Sequence, residues 1–152
     1  MLYEAIRTQR KRIAHLRRSG TARPRTHYDF LRDRSYWAQE IAPDIFDRSL
    51  ENSLCFGVYL DGKQIGFARV VTDFATFAWL ADVFVVEEQR GHGYSKRLIA
   101  AVLAHPRLQG LRRFLLGTRD AHGLYAEFGF KALAFPERFM EIRAESGYKC
   151  GC

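Results

Sequence analysis

Residues Val83–Leu98, VFVVEEQRGHGYSKRL, carry an apolar run into a glycine-bearing loop and the loop into an amphipathic helix. The run begins at Phe77 and is broken only by Asp82, which fits a strand buried on both faces. Glu87, Glu88 and Gln89 end it. Gly91 and Gly93 then give access to backbone angles closed to other residues. Leu98, Ala101 and Val102 repeat at helical spacing, as do Ile99 and Leu103, so Ser95–Ala104 is expected to be helical. His105-Pro106 stops it.

A strand, a Gly loop and a helix start together can hold an anion. The first amides of a helix lack internal partners, and the helix dipole adds positive charge there. Gly91 and Gly93 let a ligand approach the backbone, and Arg90, His92, Lys96 and Arg97 surround them. From the loop alone two readings stay open: a phosphate or pyrophosphate site, or a plain strand-to-helix turn. A P-loop is excluded because no Gly-Lys-Ser/Thr follows. A dinucleotide fingerprint is disfavoured because GHGYSK lacks the third Gly and lies past mid-chain.

Arg90-Gly91-His92-Gly93-Tyr94-Ser95 resembles the Q/R-x-x-G-x-G/A signature of the GNAT superfamily of N-acetyltransferases, with Ser95 where Gly or Ala is usual. Leu124-Tyr125-Ala126-Glu127-Phe128-Gly129-Phe130 is similar to the family's YxxxGF segment. The resemblance covers roughly Leu54–Pro136. It implies a GNAT-like acyl-CoA N-acyltransferase fold, α/β or α+β, with a central mixed β-sheet flanked by helices. It also implies acetyl-CoA as co-substrate, lying along Phe84, Val85 and Val86. Its pyrophosphate would rest over Arg90, Gly91, His92, Gly93, Tyr94 and Ser95. The family's usual Asn ahead of the YxxxGF helix falls on Thr118, a departure from the family pattern at one usual cofactor contact.

The length of 152 residues suits one core, and 47% hydrophobic with 14% aromatic content suits a globular chain. No apolar stretch approaches the ~18 residues of a membrane span. No apolar segment marks a secretory signal, and three Cys (55, 150, 152) make no disulfide framework, so the expected compartment is reducing and cytoplasmic. Cys150-Gly151-Cys152 is expected to be a frayed tail. His15, His27 and His105 show no ligand spacing, so no metal is assigned.

The net charge of +7 sits in residues 1–27, where eight Lys or Arg face Glu4 alone. Residues 1–25 are accordingly expected to be a basic extension, and 26–152 the catalytic domain. Leu2, Ile6, Ile13 and Leu16 could line a basic helix. The arm has three open readings: no role, binding of nucleic acid or an anionic surface, or a transit peptide.

In order, the chain predicts a first strand at Thr26–Asp29, helical or irregular structure over Phe30–Ala38, and a helix from Pro43 to Asn52. A hairpin of Leu54–Leu60 and Ile65–Val71 should turn at Asp61-Gly62. The central strand Phe77–Val86 and a parallel strand Arg113–Thr118 follow. A helix over Ala121–Phe128, capped by Asp120, should end at Gly129. Strands at Lys131–Phe135 and Phe139–Ile142 complete the expectation. His122 reads as a partly exposed helix residue.

Acetyl transfer to an amine needs a neutral nucleophile, a donor for the oxyanion and a proton for the leaving thiolate. In the family the Tyr of YxxxGF often serves as general acid, which implies that role for Tyr125. Asp82 is the only charge in Thr76–Val86 and is the candidate for the amine's proton or for binding the acceptor. The other reading is an ion pair with an Arg. The family's key Glu aligns with the neighbouring Ala81, and neighbours on a strand face opposite sides. In GNAT folds the first helical hairpin covers the acceptor, so Tyr36 and Trp37 are candidate pocket walls, with core packing as the alternative. Cys55 is not placed for an acyl-cysteine route. The expectation is therefore direct acetyl transfer from acetyl-CoA to a primary amine of a small molecule or peptide. A non-catalytic acyl-CoA-binding module acting on nucleic acid or a protein through its arm is the rival. A homodimer is a further possibility carried by the resemblance.

Overall fold

The computed structural model of the protein describes residues 11–15 and 26–144. The strands are β1 (Lys11–His15), β2 (Leu54–Leu60), β3 (Lys63–Thr72), β4 (Phe77–Val85) and β5 (Arg113–Leu116). The helices are α1 (Thr26–Asp33), α2 (Pro43–Glu51), α3 (Tyr94–Leu103) and α4 (His122–Ala126). The strands form one sheet in the order β1-β2-β3-β4-β5. Pairing is antiparallel up to β4 and parallel between β4 and β5. The β2–β3 hairpin turns at Asp61 and Gly62, both at positive φ, as a two-residue type I′ turn requires.

Strand alternation divides the core. Leu54, Phe56, Val58, Ala68, Val70, Ala78 and Leu80 point to one face, where α3 lays Leu98, Ile99 and Val102 over them. Cys55 and Phe67 point to the other, under Tyr28, Phe30 and Leu31 of α1 and Phe46 of α2. The β4 strand changes sides part-way. Phe67 pairs with Phe84 but Arg69 with Ala81, so β4 carries one extra residue there, and Asp82 takes φ +55°. The bulge inverts the alternation: Val85 joins the α3 core, while Phe84 stacks on Phe30 at 3.9 Å between ring centroids.

Several expected elements differ. Thr26–Asp29 opens α1 instead of forming a strand. Its β-branched and aromatic start resembles a strand, but Tyr28 and Leu31, three apart, bury on one helix face. Lys11–His15, read as part of a basic helix, is a strand whose backbone pairs with β2 from Lys11–Leu60 to His15–Phe56. That strand lies inside the segment expected to be an extension. The remainder of residues 1–25 and Cys150–Cys152 lie outside the described residues.

The central strand is not buried on both faces throughout. Ala78 and Leu80 are covered, whereas Phe77 and Trp79 are partly exposed and belong to neither core cluster. Lys131–Phe135 and Phe139–Ile142 form no strand. A 3₁₀ turn at Pro136–Arg138 separates two irregular stretches, and Met140 and Ile142 are fully exposed. An alternating apolar pattern becomes a strand only where a sheet partner and a covering layer exist.

Candidate active site

Past Leu80 the sheet opens. The parallel ladder joins Phe77–Leu80 to Arg113–Leu116 and stops there, where the β4 bulge begins. On the β3 side pairing resumes past the bulge at Phe84 and Val85, and the Val86 amide donates to the Ile65 carbonyl at 2.9 Å. Phe84 and Val85 are buried and Val86 half-buried, so what this stretch offers toward the gap is its backbone. The β5 ladder therefore ends where the bulge begins, whereas the β3 ladder is interrupted at the bulge and resumes at Phe84 and Val85.

The loop that follows is anchored at both ends. Glu87–Gln89 form a 3₁₀ turn. Arg90 donates from Nε to the Val85 carbonyl at 3.2 Å and from Nη2 to Glu87 at 3.4 Å. Arg34, just after α1, pairs with Glu87 at 3.0 Å. Gly91 and Gly93 take φ +77° and +75°, a region that other residues enter only with strain. Gly93 caps α3 with no side-chain bond to the first turn. The Arg97 amide reaches the Gly93 carbonyl at 3.1 Å. The opening amides of α3 therefore meet exposed Gly91, His92 and Gly93, with no acidic residue in the first turn. Lys96 is drawn aside to Glu127 at 2.7 Å. Tyr94 is buried and Ser95 half-buried, so both contribute here chiefly as backbone.

Tyr125 reaches the site from α4, beyond β5. The helix ends in amide bonds from Gly129 to Ala126 and from Phe130 to Tyr125, which fix the GF turn. The expected cap is corrected: Asp120 is exposed and pairs with Arg119, and it is Thr118 Oγ1 that accepts from the Ala121 amide at 3.0 Å. Tyr125 is buried, and its hydroxyl is pushed up to about 12, first by burial and then by neighbouring Tyr36 and Asp120. It keeps its proton at neutral pH and stands as a donor. His122 is exposed on the same helix.

Tyr36 and Trp37 are 46% and 38% exposed, so neither belongs to the core. They lie in the connection between α1 and α2, edge to face at 4.9 Å. The Tyr36 hydroxyl accepts from the Arg119 amide at 3.3 Å, and the Arg119 guanidinium lies 3.8 Å from its ring centre. The Trp37 Nε1 donates to Asp82 Oδ1 at 3.0 Å. Asp82 Oδ2 accepts from Arg69 Nε at 2.6 Å, and Arg69 Nη1 donates to Ser53 Oγ at 3.1 Å. Asp82 is thus ion-paired, the other of the two readings open from sequence. Beneath them Cys55 is buried, and its thiol is pushed up to about 12, chiefly by burial. A neutral thiol is a poor nucleophile. Among the described residues no cluster of His, Cys, Asp or Glu is set to hold a metal ion.

The sequence profile of the acetyltransferase (GNAT) family matches residues 15–130. The chain belongs to this family. A protein from Xanthomonas campestris pv. campestris, solved as an inferred GNAT acetyltransferase, is 51% identical and covers 82% of this chain and 87% of its own, with a TM-score of 0.78. A GNAT acetyltransferase from Elizabethkingia anophelis, solved with acetyl-CoA bound, shares the fold at 19% identity, with 94% of each chain covered and a TM-score of 0.62. An inferred acetyltransferase from Gibberella zeae is 29% identical over 116 residues, and the chain spans 64% of that relative's length. No helix among the described residues is long and apolar enough to cross a membrane.

Within this GNAT domain, sequence reasoning missed Arg69 and Arg119. Arg69 was legible in principle. It is the only charge in Ile65–Thr72, one strand away from the only charge in Thr76–Val86. Arg119 carried no comparable signal, because its role depends on how the α1–α2 connection folds over it.

Proposed function

We propose that the protein transfers the acetyl group of acetyl-CoA directly to a primary amine of a small molecule or peptide. The observation that carries the reading is one juxtaposition. The start of α3 has no side-chain cap, β4 runs without a β5 partner past Leu80, and Tyr125 packs in the same core cluster as Val85 and Tyr94. A diphosphate suits the α3 amides, and an extended amide-bearing arm suits the free edge of β4. The acetyl-CoA bound to the Elizabethkingia relative gives this arrangement a precedent on the same fold.

In this reading acetyl-CoA supplies an activated acyl carbon. The amine enters beside Tyr36 and Trp37 and attacks as the free base. An alkylamine with pKa near ~10.4 is only about one part in a thousand neutral at pH 7, so the entrance must favour the neutral form. A backbone amide of β4 beyond the bulge steadies the oxyanion. As the carbon–sulfur bond breaks, Tyr125 gives its proton to the sulfur, and the proton that the attacking nitrogen sheds in becoming an amide returns to Tyr125 directly or through solvent. Its raised pKa keeps that proton available at neutral pH.

Calorimetric titration with acetyl-CoA tests the binding half. Gly93→Val forces a branched residue into the left-handed region and should abolish micromolar binding while the fold survives. Tyr125→Phe tests the chemical half. Turnover, read as thiol release, should fall about 10²-fold or more with acetyl-CoA affinity unchanged. Unchanged turnover rejects the acid.

A further inference from the structure

We infer that Asp82 is a positioning residue: with Arg69 behind it, its carboxylate holds the Trp37 indole at the acceptor entrance and so sets affinity for the amine, instead of taking the amine's proton. The kinetic part of this inference rests on the acetyl-transfer reading; the spectroscopic part does not.

Three hydrogen bonds join four residues. Ser53, at the α2–β2 corner, accepts from Arg69; Arg69 donates to Asp82; Asp82 accepts from Trp37. The chain of bonds crosses both central strands and ends in an exposed aromatic ring. Each oxygen of Asp82 already has a donor, at 2.6 and 3.0 Å. Arg69 and Asp82 are only 15% and 11% exposed at their side chains. With both oxygens engaged and a mostly buried guanidinium against one of them, the carboxylate is fixed in place and serves as an anchor.

Trp37 needs an anchor. Residues 34–42 contain neither helix nor strand. The base of this connection is pinned by buried Ser35, whose hydroxyl donates to the Leu31 carbonyl and accepts from the Ala38 amide. Tyr36 is held by Arg119. Trp37 projects from the same turn, and its one hydrogen-bonding group goes to Asp82. The β4 bulge makes this possible. On an unbroken strand Asp82 would share the α3 side with Leu80; at φ +55° it meets Arg69 on the α1–α2 side.

The chain has two tryptophans, Trp37 and Trp79. In a Trp79→Phe background the emission reports Trp37 alone. There, Asp82→Ala should raise the acrylamide quenching constant of Trp37 about twofold, and Asp82→Asn, which keeps an oxygen acceptor, should restore most of the protection. The kinetic probe is the amine giving fastest thiol release with the wild-type protein in a panel of arylalkylamines, polyamines and peptide N-termini. Asp82→Ala should raise its KM about tenfold, with a much smaller change in kcat and none in acetyl-CoA affinity. Trp37→Phe should give a similar rise, and the double variant no more than either alone. Should Asp82→Ala fail to fold, Trp37→Phe with Asp82→Asn carries the comparison. A hundredfold fall in kcat for Asp82→Asn overturns the inference in favour of a proton acceptor, as does a Trp37 environment indifferent to Asp82→Ala. Altered quenching with no turnover on any amine would instead count against the acetyl-transfer reading alone.

Discussion

Phe77–Leu80 and Ala81–Val85 belong to one strand and have nearly the same apolar composition, yet they do different work. The first half has sheet neighbours on both sides and alternates strictly, with Ala78 and Leu80 buried and Phe77 and Trp79 partly exposed. The second half has lost β5, carries the bulge, and buries the adjacent Phe84 and Val85 on opposite faces. One extra residue accounts for the contrast. It turns the alternation over and sends Asp82 to Arg69, at the point where β5 stops pairing. Composition decides that this stretch is a strand; the bulge decides which side each of its residues faces.

The sharpest way to break the comparison is to remove packing under each half. Phe67 is fully buried and packs against Phe84 and His27 in the α1–α2 core. Phe67→Ala should cost about 3–5 kcal/mol in urea denaturation. Trp79, 40% exposed on the first half, should cost under about 1 kcal/mol as Trp79→Ala despite its larger ring. Equal losses would mean that the exposed face of β4 is covered in solution and that the two halves are not so different.

Gly66 gives a finer test. It faces Val85 across the ladder, and a Cβ there would lie 2.9 Å from the Phe84 carbonyl oxygen and 3.2 Å from Val58 Cγ2. Backbone cannot yield as a flexible side chain can. Gly66→Ala should cost about 1–3 kcal/mol. Because the obstructed group is the backbone of the second half, acetyl-CoA affinity should fall with it. A stability loss with unchanged affinity would detach the β3 side from the ligand gap.

The contrast also shows what could be read in advance. The Asp61-Gly62 turn, the apolar strands around it, the glycine loop and the α3 stripe each follow from a local rule, and each stands where its residues put it. Asp82 shows the limit. Nothing within ten residues announces a bulge, since its cause is the fit of β4 against β3 and the stacking of Phe84 on Phe30. An even alternation placed Asp82 on one side; the fold places it on the other. Thr26–Asp29 and Lys131–Ile142 fail for a related reason. Alternation and β-branching describe a half-buried surface, and whether a covering layer exists is a property of the whole chain. The opening strand, Lys11–His15, gave no apolar signal of its own, because the free edge of β2 recruits it through backbone.

The smallest effect concerns what the second half shelters. Cys55 sits opposite Arg69 on the α1–α2 face, and Tyr125 of α4 packs in the α3-side core. Burial raises both: the thiol from 9.0 to about 12, the phenol from 10.0 to about 12. In each case the folded chain holds its proton more tightly than the unfolded chain does. Their contribution is therefore complete below the unfolded values and is lost as pH climbs toward the folded ones. Loss from Cys55 begins near pH 9 and from Tyr125 near pH 10, each with a limiting slope of about 1.4 kcal/mol per pH unit. Cys55→Ala should lower stability slightly at pH 7 and remove the part of the decline that starts at pH 9. Tyr125→Phe should leave that part in place and flatten the part above pH 10. Urea midpoints at half-unit steps from pH 8 to 11 separate the two. If the decline in Cys55→Ala matches the wild type through pH 10, the thiol reaches water in solution, and the floor beneath Arg69 and Asp82 is less tightly closed than the packing of β2 against α2 requires.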